Sequence, residues 1–439
     1  MSARYAFFRD PTGRPYKRDD GKHAPTHLLA AMGTCSVASA DGTIAWKSGR
    51  IDFDTLRSSI VIVDSDGEEL NEQDRNQLVW QGLADTAERD IGQPLKAKDV
   101  LLACDARAAA FFRRPLNDYA LLTSLSLGSF PAKSINVRGS VVRPYPARPS
   151  NFVLPKVLQS RHHGSRFADH LNGTTYLWVT ISTRGRTITE GLNLALDNLS
   201  LLRALWSFGI TLNRRTMTFL SSDRRRLGVV HAGPLQTLHH LDGRPATDDF
   251  YWYDPDYSGE LAVFKNDKAW GQLEKDRKWA LGRLRRLPYG NDLRLLFIRY
   301  LAALDQINPN VAFLQLWAIL EKLTNTVGAN YDETIKRTSW IFEDDYRLEI
   351  KETLEILRHH RNRTVHAGNM SFENSETTAL LKTIVDPHLV RLLNNTFHVG
   401  SLAEYGERLS LPTGIKDLER LRSWTARALR EIRKESEAK

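Results

Sequence analysis

The hydrophobic period of this chain changes near residue 268, and that change limits the folds open to it. Downstream, apolar residues recur at helical spacing. In NDLRLLFIRYLAAL they fall at Leu293, Leu296, Phe297, Tyr300, Leu301 and Leu304, the i, i+3, i+4, i+7, i+8, i+11 pattern of an amphipathic helix. NPN at 308–310 breaks that helix. VAFLQLWAILEKLTN, 311–325, is apolar nearly all round, so it is expected as the buried centre of a bundle. A shorter helix near 332–342, a long one in DDYRLEIKETLEILRHHRNRTVH, another from about Ser375 and a last one over 414–435 complete an all-α third.

Upstream the period is short. TIAWK (43–47), SIVIV (59–63), DVLLA (99–103), INVRGSVV (135–142), TTYLWVTIST (174–183), RTMTFLSS (215–222) and RLGVVHAG (226–233) read as strands, by their β-branched content and flanking turn residues. LNLALDNLSLLRALWSF (192–208) reads as a helix. RPYPARPSNFVLP, 143–155, holds four prolines and reads as a linker or an extended crossing segment. The expected architecture is α+β. A mixed region in two units, 1–145 and 146–267, the second separate from the first or continuous with it, precedes an all-α bundle at 268–439.

Composition sets outer bounds. The chain has 439 residues, 41% hydrophobic and 26% charged, as in soluble globular proteins. No apolar run reaches the roughly 18 residues of a membrane span. The N-terminus, MSARYAFFRDPTGRPYKRDDGKH, lacks an apolar signal core, so a cytoplasmic protein without a membrane partner is expected. Cys35 and Cys104 are too few for a disulfide framework or a cysteine zinc site. The net charge of +9 suits a polyanionic partner such as RNA, and equally a basic protein with none.

The stretch HHRNRTVHAG, 359–368, ends the long helix and carries the densest chemistry. Ile350, Leu354, Leu357, Arg361 and Val365 form the inner stripe, so Arg361 stands where an apolar residue is expected. An arginine there needs a partner, because an unpaired buried charge is costly. Glu321 is the internal candidate; a phosphate, matched to the guanidinium fork, is the external one. His366 follows five residues on, about 140° around an ideal helix from Arg361. Two ways of bringing them together are open: a helix ending near Gly368 that lets His366 swing, or a second copy of the helix. No acidic residue lies between Ile356 and Phe372, so the local field is positive. Arginine and histidine beside a phosphate suffice for attack of an RNA 2′-OH on its neighbouring phosphate. Histidine moves protons near neutral pH, and arginine stabilises the charge growing on phosphoryl oxygens.

RNRTVH resembles the R-x4–6-H signature of the HEPN superfamily, including the polar residue after the arginine, and FLQLWAILEKL resembles the buried helix of its Apea-like branch. The resemblance covers about residues 290–400. It implies a HEPN-like helical bundle that dimerises, with motifs from both protomers facing one cleft. It implies a metal-independent endoribonuclease of the toxin–antitoxin, CRISPR or antiphage kind, with the N-terminal region sensing a trigger. By position, Arg361, Asn362 and His366 match the motif as catalytic residues; beside the resemblance, Glu321 is read as supporting, and His359, His360, Arg363 and Arg358 as a solvated or RNA-binding basic face. The implied partners are RNA, tRNA included, a second copy of the chain, and a phage-derived trigger or an antitoxin; no cofactor or metal is implied. The alternative is an inactive HEPN scaffold that dimerises and binds RNA or nucleotide without cutting.

Other signals are weaker. The pairs His162-His163, His239-His240 and His359-His360 lack the spacing of zinc ligands, since adjacent side chains diverge. DSDGEE (64–69) resembles the start of a calcium loop but has Arg75 at the twelfth position. RKWALGRLRR (277–286) suits an RNA backbone or a solvated helix face, and SSDRRR (221–226) reads as a turn. There is no P-loop, Rossmann, G-x-S-x-G or HExxH motif.

Overall fold

The computed structural model describes residues 4–7, 25–39, 44–46, 60–63, 70–159, 167–212, 226–257, 259–328, 331–367 and 375–437. At its centre is an antiparallel six-stranded sheet of β5 (Asn117–Leu125), β6 (Ile135–Val137), β7 (Ser140–Tyr145), β8 (Leu177–Gly185), β9 (Leu235–His240) and β10 (Trp252–Tyr253). Its order is β10-β9-β5-β8-β7-β6. β5 is buried on both faces from Tyr119 on. Leu121 and Leu125 face the main core, while Ala120 and Leu122 meet Phe152 and Trp178 on the other side. INVRGSVV makes the β6–β7 hairpin, its turn at Arg138 and Gly139, both with positive φ.

The strands come from both sides of residue 145, so the two mixed units are continuous through one sheet. The proline-rich stretch is no free linker: its start pairs with β8, Pro144 opposite Val179, and Phe152 is buried. RLGVVHAG is not a regular strand. It holds one bridge, Ala232 to Leu125, flanked by the amides of Ser126 and Gly233 bonding the carbonyls of His231 and Ser124.

A smaller core lies upstream. It joins α1 (Thr26–Thr34), β4 (Ile60–Val63), α2 (Glu72–Arg89) and α3 (Ala97–Phe112) through Leu29, Ile62, Leu83, Val100, Leu101 and Phe111. β4 pairs with β1 (Arg4–Phe7), and β2 (Ser36–Ala38) with β3 (Ile44–Trp46). DVLLA, read as a strand, lies inside α3. It opens the run DVLLACDARAAAFF, whose alanines favour helix, and the buried residues Val100, Leu101, Cys104, Ala108 and Phe111 keep helical spacing. α2 and α3 approach closely at Gly82, where a Cβ would sit 2.6 Å from Cys104 Sγ. RTMTFLSS and DSDGEE lie outside the described residues.

Two short helices, α4 (Lys156–Gln159) and α5 (Ala168–Gly173), precede β8, and α6 (Ile188–Leu212) follows it. α6 is buried on nearly every side between Leu199 and Ile210, because it lies between the sheet and the first helices of the C-terminal region. Those helices are α7 (Trp270–Arg286), α8 (Gly290–Leu304) and α9 (Pro309–Leu323), followed by α10 (Tyr331–Ser339), α11 (Asp344–Ala367), α12 (Ser375–Asn394), α13 (Leu402–Arg408) and α14 (Ile415–Glu437). The expected helices near 293–304, 311–325, 332–342 and 375, the long 344–366 helix and the last helix all form. Asn308 caps α9, accepting from the amides of Asn310 and Val311, with Pro309 at the first helical position.

One apolar core runs from the sheet (Leu121, Ile181) through α6 (Leu202, Trp206) into α8, α9, α11 and α12 (Phe297, Phe313, Leu357, Leu389). The period change at 268 therefore marks a change of element type and does not interrupt the core. The fold class is α+β. Among the described residues no helix is long and apolar enough to cross a membrane.

Candidate functional site

The site is built where α9, α10 and α11 meet. α9 presents Phe313, Trp317 and Glu321 at i, i+4, i+8. Phe313 and Trp317 are buried and stacked, with centroids 6.1 Å apart. Trp317 Nε1 donates to Glu321 Oε1 at 2.9 Å. Tyr331, at the start of α10, meets the edge of Trp317 at 6.1 Å.

Arg361 of α11 lays its guanidinium over the Tyr331 ring, 5.0 Å from the centroid. Its Nε is buried and, among the described residues, has no hydrogen-bond partner. Burial raises the Glu321 carboxyl above the usual carboxylate range; the Trp317 N–H and the Arg361 charge oppose that shift. The arginine and the glutamate thus share one field without forming an ion pair within 4 Å.

The inner stripe of α11 differs in part from its sequence reading. Leu354 and Leu357 are fully buried, while Ile350 and Arg361 are half-buried. Val365 is exposed, so the stripe ends a turn early. His360, read as part of a solvated RNA-facing set, is instead buried, its ring edge-on to Phe313 at 4.7 Å. Three residues beyond Leu357, it takes the next inward position. Burial, and secondarily Arg363, lowers its pKa, and among the described residues its Nε2 has no hydrogen-bond partner. His359 and Arg363 are exposed. Arg358 is held inside the molecule by Asp332 at 2.7 Å and Glu355 at 2.5 Å. Asn362 is half-buried beside Arg361. α11 is helical through Ala367, so it does not end between Arg361 and His366.

Two arginines of the basic run of α7 are used structurally, while Lys278, Arg285 and Arg286 are exposed. Arg277 is buried and paired with Glu274 at 2.7 Å, and Arg283 donates to the carbonyl oxygens of Leu393 and Asn394 at the C-terminal end of α12. Arg226 pairs with Asp254. His239 is buried with both ring nitrogens hydrogen-bonded, to Thr237 at 2.8 Å and the Gly243 carbonyl at 3.1 Å. His162 and His163 lie outside the described residues.

The fold also assembles groups that nothing in the sequence pattern announces. Ser124 Oγ lies 2.9 Å from His170 Nε2, and His170 Nδ1 lies 3.6 Å from Glu260 Oε1. Glu260 is fixed by the amide and hydroxyl of Thr175 and the hydroxyl of Thr174. The order resembles a hydrolase triad, but Ser124 is fully buried, and a Cβ on Gly233 would sit 2.0 Å from its hydroxyl. With no room for a carbonyl at the nucleophile, the trio serves as a polar tie between β5, α5 and the loop at 260, buried at Ser124 and His170 and open at Glu260. Separations of 46 and 90 residues leave it no local signature. An open cleft of about 1000 Å³ lies between α2 and α6, lined by Asn76, Gln77, Trp80, Asn193, Asp197 and Trp252 among others. Among the described residues its lining includes no lysine or arginine, which does not suit a phosphate backbone.

Compared with models of protein families, with curated proteins and with solved structures, the chain matches none.

Proposed function

We propose that this protein is a metal-independent endoribonuclease whose site lies at the Arg361 end of α11. One observation carries the reading: a guanidinium seated on Tyr331 keeps a buried Nε, unpartnered among the described residues, on a helix end free of acidic residues from Leu357 to Ser371. A phosphate oxygen supplies an acceptor for that Nε and a counter-charge for the guanidinium.

The reaction follows from these groups. The RNA 2′-oxygen attacks the adjacent phosphorus and loses its proton, and the bond to the 5′-oxygen breaks as that oxygen gains one. The products are a 2′,3′-cyclic phosphate and a 5′-OH. Arg361 stabilises charge on the non-bridging oxygens, His366 transfers protons, and Asn362 positions the phosphate. No step requires a metal. DNA lacks the nucleophile and is not cut.

α11 is helical through Ala367, and an ideal helix sets positions 361 and 366 about 140° apart. Of the two arrangements the reading takes the second, two copies with Arg361 of one opposite His366 of the other. Arg361→Ala and His366→Ala should each lower RNA cleavage by about 10²-fold or more. Mixing the two inactive variants should restore part of the activity, since a mixed pair retains one intact site. A mixture as inactive as its components contradicts the shared site, and full activity of His366→Ala contradicts the reading altogether. The scaffold alternative predicts salt-sensitive RNA binding with no cleavage by any form.

A further inference from the structure

α14 is a 23-residue helix whose described side chains the other described residues leave largely exposed. Of its residues 415–432 none is buried, and Leu421 alone is half-buried. Ile415 is 75% exposed, Ile432 62%, Trp424 59% and Leu429 51%. A lone helix in water gains most of its stability from packing an apolar face, and here that face meets solvent.

The spacing of that face identifies its cover. Leu418, Leu421, Thr425, Ala428 and Ile432 alternate by three and four residues, the narrow a/d seam of a two-stranded coiled coil. In a parallel pair, each g position faces the following e position of the other strand. Asp417 then meets Arg422 and Trp424 meets Leu429 across the seam, one opposite-charge and one apolar pair. An antiparallel pair places Asp417 opposite Glu431, like against like. Within one chain Asp417 contacts Arg420 at 3.0 Å, and Arg420 stacks on Trp424 at 5.3 Å, both on the exposed surface. The polar face mixes seven basic with five acidic residues over 415–437, unlike the uniformly cationic face of a helix lying on an anionic membrane.

We infer that α14 pairs with α14 of a second copy of this chain as a parallel, in-register coiled coil. The observation is independent of the ribonuclease reading and places a contact between copies outside the packed bundle.

Sedimentation equilibrium of the full chain across a concentration series tests this. The wild type should show the mass of two chains. Leu418→Glu combined with Ile432→Glu should show the mass of one, with the same thermal unfolding, since both side chains are exposed. In a Cys35→Ser background, Thr425→Cys should cross-link two chains on oxidation, because parallel register brings the two a positions together. A wild-type monomer at every concentration overturns the inference, as does a dimer that survives the double substitution. So does a chain that stays monomeric and binds phosphatidylserine vesicles through Leu421. Loss of RNA cleavage with the dimer intact bears on the ribonuclease reading alone.

Discussion

At the scale of single residues, burial decides which charges this protein carries. His239 and His388 are each pushed down to about 4 from 6.5, burial being the largest cause in both. His388 has its ring nitrogens on the Tyr405 hydroxyl and the Thr338 carbonyl. In the unfolded chain such a histidine takes its proton near 6.5, so between the two values the unfolded state binds more protons. Stability should therefore fall as pH drops through the window from about 6.5 to about 4. Thermal melts that stay level across that window contradict the assignment. The same competition explains why His360 was illegible as a core residue. A histidine beside three arginines reads as solvated until the turn-by-turn rotation of α11 places it against Phe313. Arg361 was legible because it interrupts a row of apolar residues, and no such interruption marks Ser124, His170 or Glu260.

At the scale of elements, periodicity made the C-terminal helices readable. It failed where composition and period disagreed. DVLLA has strand-like residues but sits in a helix set by the alanines after it, and RLGVVHAG alternates yet finds a partner strand at one bridge. Long-range polar ties between elements left no trace in the sequence. α12 is fixed to α8 and α6 by one: Lys382 bonds Asp386 and Thr211, and Tyr300 donates to Asp386 at 2.6 Å, with Lys382, Asp386 and Tyr300 buried and Thr211 half-buried. Removing one member strands the others. Lys382→Met should cost about 3–5 kcal/mol in urea denaturation. Lys382→Met, Asp386→Leu and Tyr300→Phe together should cost less than that single change, since no charge or donor is then left unpaired. A triple variant weaker than the single one would show that the network stabilises beyond its own desolvation.

At the scale of the whole molecule, the sheet and the helices share one core through α6. The segment 268–439 made alone exposes the faces of α7 and α8 that α6 covers. It should fail to give cooperative unfolding or slow amide exchange; a cooperatively folded fragment would contradict the shared core. The same architecture ties the α11 site to the sheet through continuous packing, so the N-terminal region supports the site whatever else it does. The chemistry at Arg361 and His366 is read in the ends of RNA fragments. Total RNA and tRNA are incubated in EDTA with the wild type and with His366→Ala, and the fragments are analysed for end groups. The wild type should leave 2′,3′-cyclic phosphate and 5′-OH ends, and the variant none. Fragments with 5′-phosphates, or cyclic-phosphate ends that His366→Ala still produces, would contradict that chemistry.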